Sequence, residues 1–309
     1  MHVPHAGHDH SHAHLAGGVL SAALIATLIL VAAEFVGGYL GHSIALVSDA
    51  VHNLSDVPSI LIAWTAAHWA ERPADTERTF GYRRAGILAA FTNSILLLLV
   101  ALALFWEVFE RFRHPVVVHE QWMIGLALFA LAINGGITLG LRRGRKDLNV
   151  RALFIHNFGD ALSNIGILAG ALIIRWSGAL WLDPALGLLI VGFVLWSTIG
   201  ILQESTHILL EGRPREMRLP DVARAILEIP GVQEVHDIHI WTLGASEHAL
   251  SCHVRIPDMH MEESEKILAD VCARLTQTFG INHATVQFER AGLPETGYYM
   301  PEPFRSGKS

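Results

Sequence analysis

Charged residues are scarce in this sequence, because Asp, Glu, Lys and Arg make up 17% of its 309 residues. An average soluble domain carries about a quarter. The deficit lies in residues 1–210, which hold 12 Lys and Arg and 14 Asp and Glu, whereas residues 211–309 hold 10 and 15. The second region therefore has the composition of an ordinary soluble domain, and the first region does not.

Cysteine and excess positive charge are also missing. The only two cysteines, Cys252 and Cys272, are too few for a disulfide framework or a four-thiolate metal site. The formal net charge of −7 gives no support to a basic face, so no nucleic-acid partner is predicted. The apolar content of 51%, together with the absence of the relevant repeats, excludes disorder, collagen and coiled coil.

Long apolar runs are what the first region contains instead. A helix needs about 20 mostly apolar residues to cross a bilayer. Six stretches meet this length, namely 16–40, 44–70, 86–110, 121–141, 150–175 and 181–209. The first is not a cleavable signal peptide, because its apolar run is too long and a His-rich stretch replaces the basic leader. A large soluble all-helical protein is the alternative, which six successive apolar runs disfavour.

The predicted fold is an all-α bundle of six transmembrane helices followed by a C-terminal α+β domain. The expected divisions are a His-rich tail over 1–15, the six-span domain over 16–210, the α+β domain over 211–295 and a C-terminal tail over 296–309. Within the α+β domain, the hydrophobic pattern predicts a short helix, two strands, an amphipathic helix and a last strand, in αββαβ order.

The basic residues of the predicted loops indicate the orientation, since cytoplasmic loops are enriched in Lys and Arg. One side carries Arg72, Arg78, Arg83, Arg84, Arg142, Arg143, Arg145, Lys146, Arg213, Arg215 and Arg218. The other side carries only Arg111, Arg113 and Arg175. Both termini, the second loop and the fourth loop are therefore predicted to be cytoplasmic.

Two of the predicted spans carry the same five-residue pattern, His-Asn-x-x-Asp. The second span contains His52 and Asp56, and the fifth contains His156 and Asp160. Residues four apart share a face of a helix, so each helix presents an imidazole and a carboxylate together. Ionisable groups at membrane depth are costly and mark function, and two nitrogens with two oxygens suit tetrahedral Zn²⁺. The alternative is that these residues only form hydrogen bonds between helices.

Two further acids, Glu34 and Asp49, lie inside predicted spans. Asp49 precedes His52 by one turn, roughly on the same side of the helix. Each acid is either a link between helices or part of an access route, and the sequence favours neither.

The paired motifs on spans two and five, the six spans and the small C-terminal domain together resemble the cation diffusion facilitator family. The resemblance covers nearly the whole chain and places His52, Asp56, His156 and Asp160 on the family's transport-site positions. Members are divalent-metal/proton antiporters, usually homodimers, with a ferredoxin-like cytoplasmic domain, and those with two His and two Asp favour zinc. The resemblance therefore implies Zn²⁺/H⁺ antiport by a homodimer. Cd²⁺ and Co²⁺ are further candidate substrates, because they accept similar ligands.

One loop departs from the family's pattern. Some members bind a second metal between spans two and three through an Asp and two His around a Phe-Gly pair, but here Arg78 and Tyr82 stand in place of those histidines. No metal is predicted there. Arg84 and Glu211 lie at loop ends where the family uses a charge pair, and the alternative is two unpaired charges at the membrane interface.

Histidines of the C-terminal domain form a second candidate site. His236 and His253 match family positions that bind metal in the cytoplasm. His283 and Glu289 complete the candidate set, with Gln287 near an expected ligand position. The alternative is that each of these histidines is an ordinary surface residue.

A third group of histidines opens the chain and comprises His2, His5, His8, His10, His12 and His14. Short His-rich tracts are typical of metal binding. We expect this tract to collect cytosolic Zn²⁺, and the alternative is a dispensable flexible tail.

These features predict a transporter of divalent metal ions rather than an enzyme. Metal binding requires neutral imidazoles and ionised carboxylates, so protons and metal compete for the same ligands as the site alternates between the two sides of the lipid bilayer. A passive divalent-cation channel, an intramembrane metallohydrolase and a metal-sensing receptor are the alternatives. The chain lacks the long His-rich loop between spans four and five that some organellar relatives carry, which favours a bacterial inner membrane.

Overall fold

The computed structural model describes residues 10–55, 74–141, 148–244, 247–290 and 304–305, with the side chains of 10–24, 140–141, 148–153, 155–156 and 305 left out. The chain divides into two compact units. The first comprises Met1–Ile62 and Thr92–Ile201, and the second comprises Ala63–Phe91 and Leu202–Ser309.

Long apolar helices make up the first unit and extend into the second at two places. They are α1 (His10–Leu40), α2 (44–55), α3 (Ala85–Arg113), α4 (Glu120–Leu141), α5 (Leu148–Ser177) and α6 (Leu182–Leu209). Within the described residues, four helices are long and apolar enough to cross a membrane, in α3, α4, α5 and α6, and Ile25–Leu40 of α1 is a shorter apolar stretch. The predicted span 44–70 lies partly outside the described residues.

The surface of the first unit is apolar. Trp106, Leu189 and Trp196 are 69%, 72% and 73% exposed. Apolar patches of this kind on a single soluble chain mark a surface that something else covers. Helices whose backbone groups are satisfied internally can present such side chains to lipid.

The start of α2 is fixed by a buried acid from α6. The backbone N–H groups of Ile44 and Ala45 donate to the Asp183 carboxylate at 2.9 and 3.3 Å, and the Ser43 hydroxyl donates to it as well. Arg111 Nη1 lies 3.8 Å from Asp183 Oδ2. Because the first N–H groups of a helix have no partners within it, Asp183 satisfies them from another helix and sets where α2 begins.

Small residues allow the helices around α2 to pack closely. Ala45, Ala127 and Ala171 belong to a single buried cluster with Met123 and Ile167. These residues lie on α2, α4 and α5. α2 and α5, which carry the two His-Asn-x-x-Asp patterns, therefore share one core.

The second unit contains a four-stranded mixed sheet and two helices that the sequence placed in αββαβ order. The elements are α7 (Leu219–Leu227), β1 (Glu234–Gly244), β2 (Glu247–Arg255), α8 (Met261–Phe279), β3 (Ile281–Glu289) and β4 (Phe304–Arg305). The strand order is β3-β2-β1-β4, with β2 and β3 parallel and the other neighbours antiparallel. The predicted order of elements is confirmed, and β4 is an additional edge strand.

One apolar core holds this sheet to its helices. Ile226 of α7, Leu250 of β2 and Leu275 of α8 are fully buried in the same cluster. α8 ends at Gly280, whose φ of +65° is a left-handed conformation that glycine adopts without steric cost. β3 therefore starts directly after the helix and runs beside β2.

Strand register brings particular side chains of the sheet into line. His236 of β1 lies opposite His253 of β2, and Arg255 lies beside Glu289 of β3. The β1–β2 ladder shifts register between His236 and His239, where Asp237 has a φ of +49°. A bulge of this kind redirects neighbouring side chains, and here it lies beside the aligned histidines.

Candidate metal centres

In the first unit, one imidazole and one carboxylate of the predicted site meet between α2 and α5. His52 Nε2 lies 3.2 Å from Asp160 Oδ1, although the residues are 108 positions apart in the chain. Their side chains are only 13% and 9% exposed. A contact this short between an imidazole and a carboxylate is a hydrogen bond or ion pair, and it supplies one nitrogen and one oxygen ligand at a common point.

The other two predicted ligands are not described at the level of side chains. Asp56 lies outside the described residues, directly after the end of the described part of α2. His156 is part of α5 and precedes Asp160 by one helical turn, but its side chain is outside the description. The four-ligand set therefore stays a prediction.

A cavity of about 490 Å³ opens beside the His52–Asp160 pair. Its wall is mostly apolar, with Leu189, Ile190 and Phe193 of α6 facing the two ligands. The Phe193 ring meets the His52 imidazole edge to face, with 5.6 Å between centroids. This cavity has room for a hydrated ion next to the pair, and its apolar wall fixes the orientation of the imidazole.

Buried polar residues near the pair link α2 to α1 and to α5. Asn53 Nδ2 donates to Glu34 Oε2 of α1 at 2.8 Å, and Ser163 Oγ of α5 donates to Asp49 Oδ1 at 3.5 Å. Glu34 and Asp49 are 0% and 1% exposed. Glu34 therefore serves as a link between helices. Ser163 was not found from the sequence, because a single serine in a span carries no pattern.

The second unit contains a group of three potential ligands, two imidazoles and one carboxylate, that lie within reach of one ion. One nitrogen of His236, one nitrogen of His253 and one carboxylate oxygen of Glu289 lie within 4.8 Å of one another. His236 Nε2 is 3.1 Å from Glu289 Oε2, and His253 Nδ1 is 2.9 Å from Glu289 Oε1. Among the residues that the structure describes, this is the one group of three or more such ligands.

These short distances do not have the angles of hydrogen bonds. Both nitrogens of His236, Nδ1 of His253 and Oε2 of Glu289 are buried without a hydrogen-bond partner among the described residues. Buried polar atoms normally have partners. These ligand atoms lie close together without hydrogen bonds to one another, and an ion bound between them would supply the missing partner.

His236, His253 and Glu289 form what is called the tail cluster. The carboxylate of Glu234 lies beside it. Glu234 Oε1 lies 3.5 Å from His236 Nδ1 and is held by Arg255 Nη1, which is 3.0 Å from both carboxylate oxygens. A carboxylate beside the second nitrogen of an imidazole orients the ring and raises its basicity as a ligand.

His283, the fourth residue predicted for the tail site, lies elsewhere on β3. It pairs with Ala249, whereas Glu289 pairs with Arg255 at the other end of the same ladder. The His283 ring packs against Phe80, with 5.4 Å between centroids. The structure therefore brings three of the four predicted residues together and leaves His283 out of the cluster.

In residues 74–84, the described part of the loop before α3, no group of three or more metal ligands is present. Arg78 lies over the Tyr82 ring, 4.8 Å from its centroid, where the family's second-loop site would need histidines. Asp75 Oδ1 accepts from the backbone N–H of Glu77 at 2.9 Å. The described residues of this loop form a capped turn.

The structure describes the predicted Arg84–Glu211 charge pair but not the side chains of the N-terminal histidine tract. Arg84 Nη1 lies 3.4 Å from Glu211 Oε1, so these two charges form a pair. The side chains of the N-terminal histidine tract fall outside the described part of the chain.

Comparisons with known proteins give two family matches. Residues 20–210 match the cation efflux transmembrane domain, and residues 214–291 match the cytoplasmic domain of cation efflux proteins. The matched ranges meet a few residues after the end of α6.

Several curated bacterial proteins are similar over most of their length. A cadmium, cobalt and zinc/H(+)-K(+) antiporter of Bacillus velezensis is 36% identical over 92% of this chain and 92% of its own. The metal cation efflux system protein CzcD of Cupriavidus metallidurans is 39% identical over 93% of this chain and 90% of its own. The zinc transporter ZitB of Escherichia coli is 37% identical over 83% of this chain and 82% of its own.

Proposed function

The chain belongs to the cation diffusion facilitator family of cation efflux proteins, and we propose that it exports Zn²⁺ from the cytoplasm in exchange for protons. It is an integral membrane transporter and not an enzyme. Relatives named for zinc, cadmium and cobalt make Cd²⁺ and Co²⁺ further substrates.

The transport site in this proposal consists of His52, Asp56, His156 and Asp160. The observation that supports it best is the 3.2 Å contact between His52 Nε2 and Asp160 Oδ1, which joins the two motif-bearing helices. In the sequence, Asp56 and His156 are each four positions from a member of that pair, the spacing that puts two residues on one face of a helix. Two nitrogens and two oxygens would then surround one tetrahedral ion.

Proton coupling follows from the chemistry of these ligands. Zn²⁺ binds neutral imidazole and ionised carboxylate, so its arrival from the cytoplasm displaces protons. When the site faces the other side, protons compete for the same four side chains and expel the ion. Imidazole suits this exchange, because its unperturbed pKa of about 6.5 lets it gain or lose a proton near neutral pH.

Alternating access requires that α2 and α5 change their positions relative to the rest of the bundle. The His52–Asp160 pair lies against Leu189 and Phe193 of α6, so a small movement there would open or close the cavity beside it. We propose six spans in all, with residues 16–40 and 44–70 supplying the first two.

The proposed topology has both termini in the cytoplasm and the protein in a bacterial inner membrane. Residues 1–15 form the His-rich tail, 16–210 the transmembrane domain, 211–295 a ferredoxin-like cytoplasmic domain and 296–309 a C-terminal tail. The domain match over residues 214–291 supports a homodimer that is formed through the cytoplasmic domain.

The tail cluster of His236, His253 and Glu289 is proposed as a cytoplasmic metal site. It is supported by the convergence of its ligand atoms within 4.8 Å. It is also supported by four buried ligand atoms that have no hydrogen-bond partner among the described residues, namely both nitrogens of His236, Nδ1 of His253 and Oε2 of Glu289. Such a site would report the cytoplasmic metal concentration to the dimer without carrying the transported ion.

Zinc uptake into proteoliposomes with an imposed pH gradient tests the proposal. Asp160→Asn keeps the size of the side chain but removes its charge, and we expect zinc flux to be abolished. Asp270→Asn, on the exposed face of α8, is the matched control and should transport as the wild type does. Equal flux in the Asp160→Asn variant would remove Asp160 from the site, and flux that ignores the pH gradient would show a channel.

A further inference from the structure

The largest cavity among those described lies in the second unit, and none of the candidate metal ligands lines it. Its volume is about 640 Å³. Its wall combines three arginines with aromatic and apolar side chains. The lining residues that matter here are Arg83, Arg84, Arg213, Glu211, Phe80 and Trp241.

The cavity lies where two membrane helices end. Arg84 immediately precedes α3, whose apolar segment begins at Ala85, and Arg213 follows the end of α6 by four residues. Residues directly beyond the ends of spanning helices lie at the depth of the lipid headgroups. In the proposed topology Arg84 and Arg213 therefore lie near the membrane surface, and Trp241 of β1 completes the wall from the sheet.

Positive charge exceeds negative charge around this cavity. Arg83 pairs with Glu247, and Arg84 Nη1 lies 3.4 Å from Glu211 Oε1. Arg213 donates only to backbone carbonyl oxygens, including that of Pro214 at 3.3 Å, and has no carboxylate partner among the described residues. One guanidinium therefore carries an uncompensated charge, and two more are held by exposed carboxylates that an incoming anion can replace.

We propose that this cavity binds the phosphate of an anionic phospholipid headgroup. Guanidinium groups form two parallel hydrogen bonds with phosphate oxygens, which makes arginine the preferred residue for phosphate recognition. Phe80 and Trp241 give the cavity apolar surface against which the glycerol and upper acyl chain of a lipid would pack. The inference rests on the membrane topology of the proposed function, but it does not depend on the transported ion.

A lipid is favoured over a soluble phosphate compound because of where the cavity lies. Two spanning helices end within a few residues of its wall, so a headgroup is present there at high local concentration. The cytoplasmic leaflet also carries anionic lipid that attracts basic segments near the membrane. Inorganic phosphate shares the recognition chemistry and is therefore a separate arm of the experiment.

The test measures the thermal unfolding of the full-length protein in an uncharged detergent. Mixed micelles of phosphatidylglycerol, mixed micelles of phosphatidylcholine, and soluble glycerol 3-phosphate or inorganic phosphate are titrated in parallel. We expect phosphatidylglycerol alone to raise Tm. Metal is absent throughout, so the result is independent of zinc transport.

Three variants show where the lipid binds. Arg213→Gln and Arg83→Gln remove charge from the cavity, and each should weaken the phosphatidylglycerol effect on the order of tenfold in lipid concentration, as expected for one charge-assisted contact. Arg215→Gln is the matched control, because Arg215 lies two residues from Arg213 but pairs with Glu204 at 2.7 Å and does not line the cavity. Arg83→Gln serves as the decisive variant if Arg213→Gln lowers Tm without lipid, because Arg213 also holds backbone carbonyls.

Four results would overturn the inference. Equal stabilisation by phosphatidylcholine would show that charge is not recognised, and equal stabilisation by glycerol 3-phosphate or inorganic phosphate would show a soluble ligand. An unchanged lipid response in Arg83→Gln, or an equal loss in Arg215→Gln, would place the lipid elsewhere on the protein.

Discussion

The two clusters of candidate metal ligands are built on different scaffolds. His52 and Asp160 meet from two helices beside a cavity of about 490 Å³. His236, His253 and Glu289 lie on three neighbouring strands joined by hydrogen bonds. The positions of the first pair depend on how helices pack, whereas the positions of the second group are fixed by strand register.

This difference matches the role proposed for each site. A transport site must bind an ion on one side of the membrane and release it on the other, so its ligands must separate when helices move. A sensing site must keep one geometry and respond to concentration. Helices that share small-residue contacts can slide against one another, but neighbouring strands cannot shift without breaking a ladder of backbone bonds.

The largest expected effect comes from removing the imidazole of His52, compared with removing that of His236. His52→Ala should lower zinc flux by at least about a hundredfold, because loss of a ligand costs more than loss of a residue that only orients one. His236→Ala should leave the initial flux at saturating zinc close to that of the wild type. Initial rates in proteoliposomes give both numbers. An equal loss of flux in the two variants would contradict the different roles proposed for the two clusters.

The next effect concerns metal binding by the tail cluster alone. In the His52→Ala background, zinc at about a hundred times its dissociation constant should stabilise the protein by about 2.7 kcal/mol. Adding His253→Ala should remove that stabilisation. Because protons compete with the metal for imidazole, the gain in Tm should also disappear as the pH is lowered from 7 to about 5. A gain in Tm that survives His253→Ala would place the bound zinc elsewhere.

A smaller effect is expected from the acid that holds the start of α2. Asp183→Ala leaves the N–H groups of Ile44 and Ala45 without their acceptor, which should cost about 1–3 kcal/mol of stability. Asp258→Ala is the matched control, since Asp258 is exposed and, among the described residues, forms an ion pair only with Arg290 at 3.5 Å. Thermal unfolding of the two variants checks this, and equal values of Tm would show that Asp183 does not hold α2.

The smallest effect concerns the thiol that precedes His253 on β2. Burial, and to a lesser extent the Cys272 thiol, raises the pKa of Cys252 from 9.0 to about 12. Maleimide at neutral pH should therefore label Cys272 and leave Cys252 unmodified, as peptide mass spectrometry would show. Because the unfolded thiol loses its proton first, the stability that Cys252 contributes is present below pH 9 and falls as the pH rises towards 12. Rapid labelling of Cys252 would mean that the strand beneath the tail cluster opens.

Sequence patterns located some of these residues and missed others for physical reasons. The repeated His-Asn-x-x-Asp motif identified His52 and Asp160, because a helix turns identical spacing into a common face. The αββαβ order was readable from hydrophobic alternation. Six positions along one strand separate His283 from Glu289 by about 20 Å, so the two residues cannot share one ion. Which of them lies beside His253 was not readable, because that depends on the register between β2 and β3.

Long-range polar contacts were the other class that the sequence did not reveal. Asp183 accepts from residues about 140 positions away, and its only local signal is an acid at the start of an apolar run. Glu34 had no assigned role until its bond with Asn53 was described. Such contacts depend on how helices pack, and the spacing of residues along one sequence does not identify partners that are far apart in the chain.

The central claim is that the pair between α2 and α5 binds the transported ion. Anomalous scattering at the zinc absorption edge, measured on crystals grown with Zn²⁺, tests it most directly. The account predicts one zinc peak with His52 Nε2 and an Asp160 oxygen at about 2.0–2.2 Å. A zinc peak only at the tail cluster, with His52 and Asp160 still bonded to each other, would contradict it.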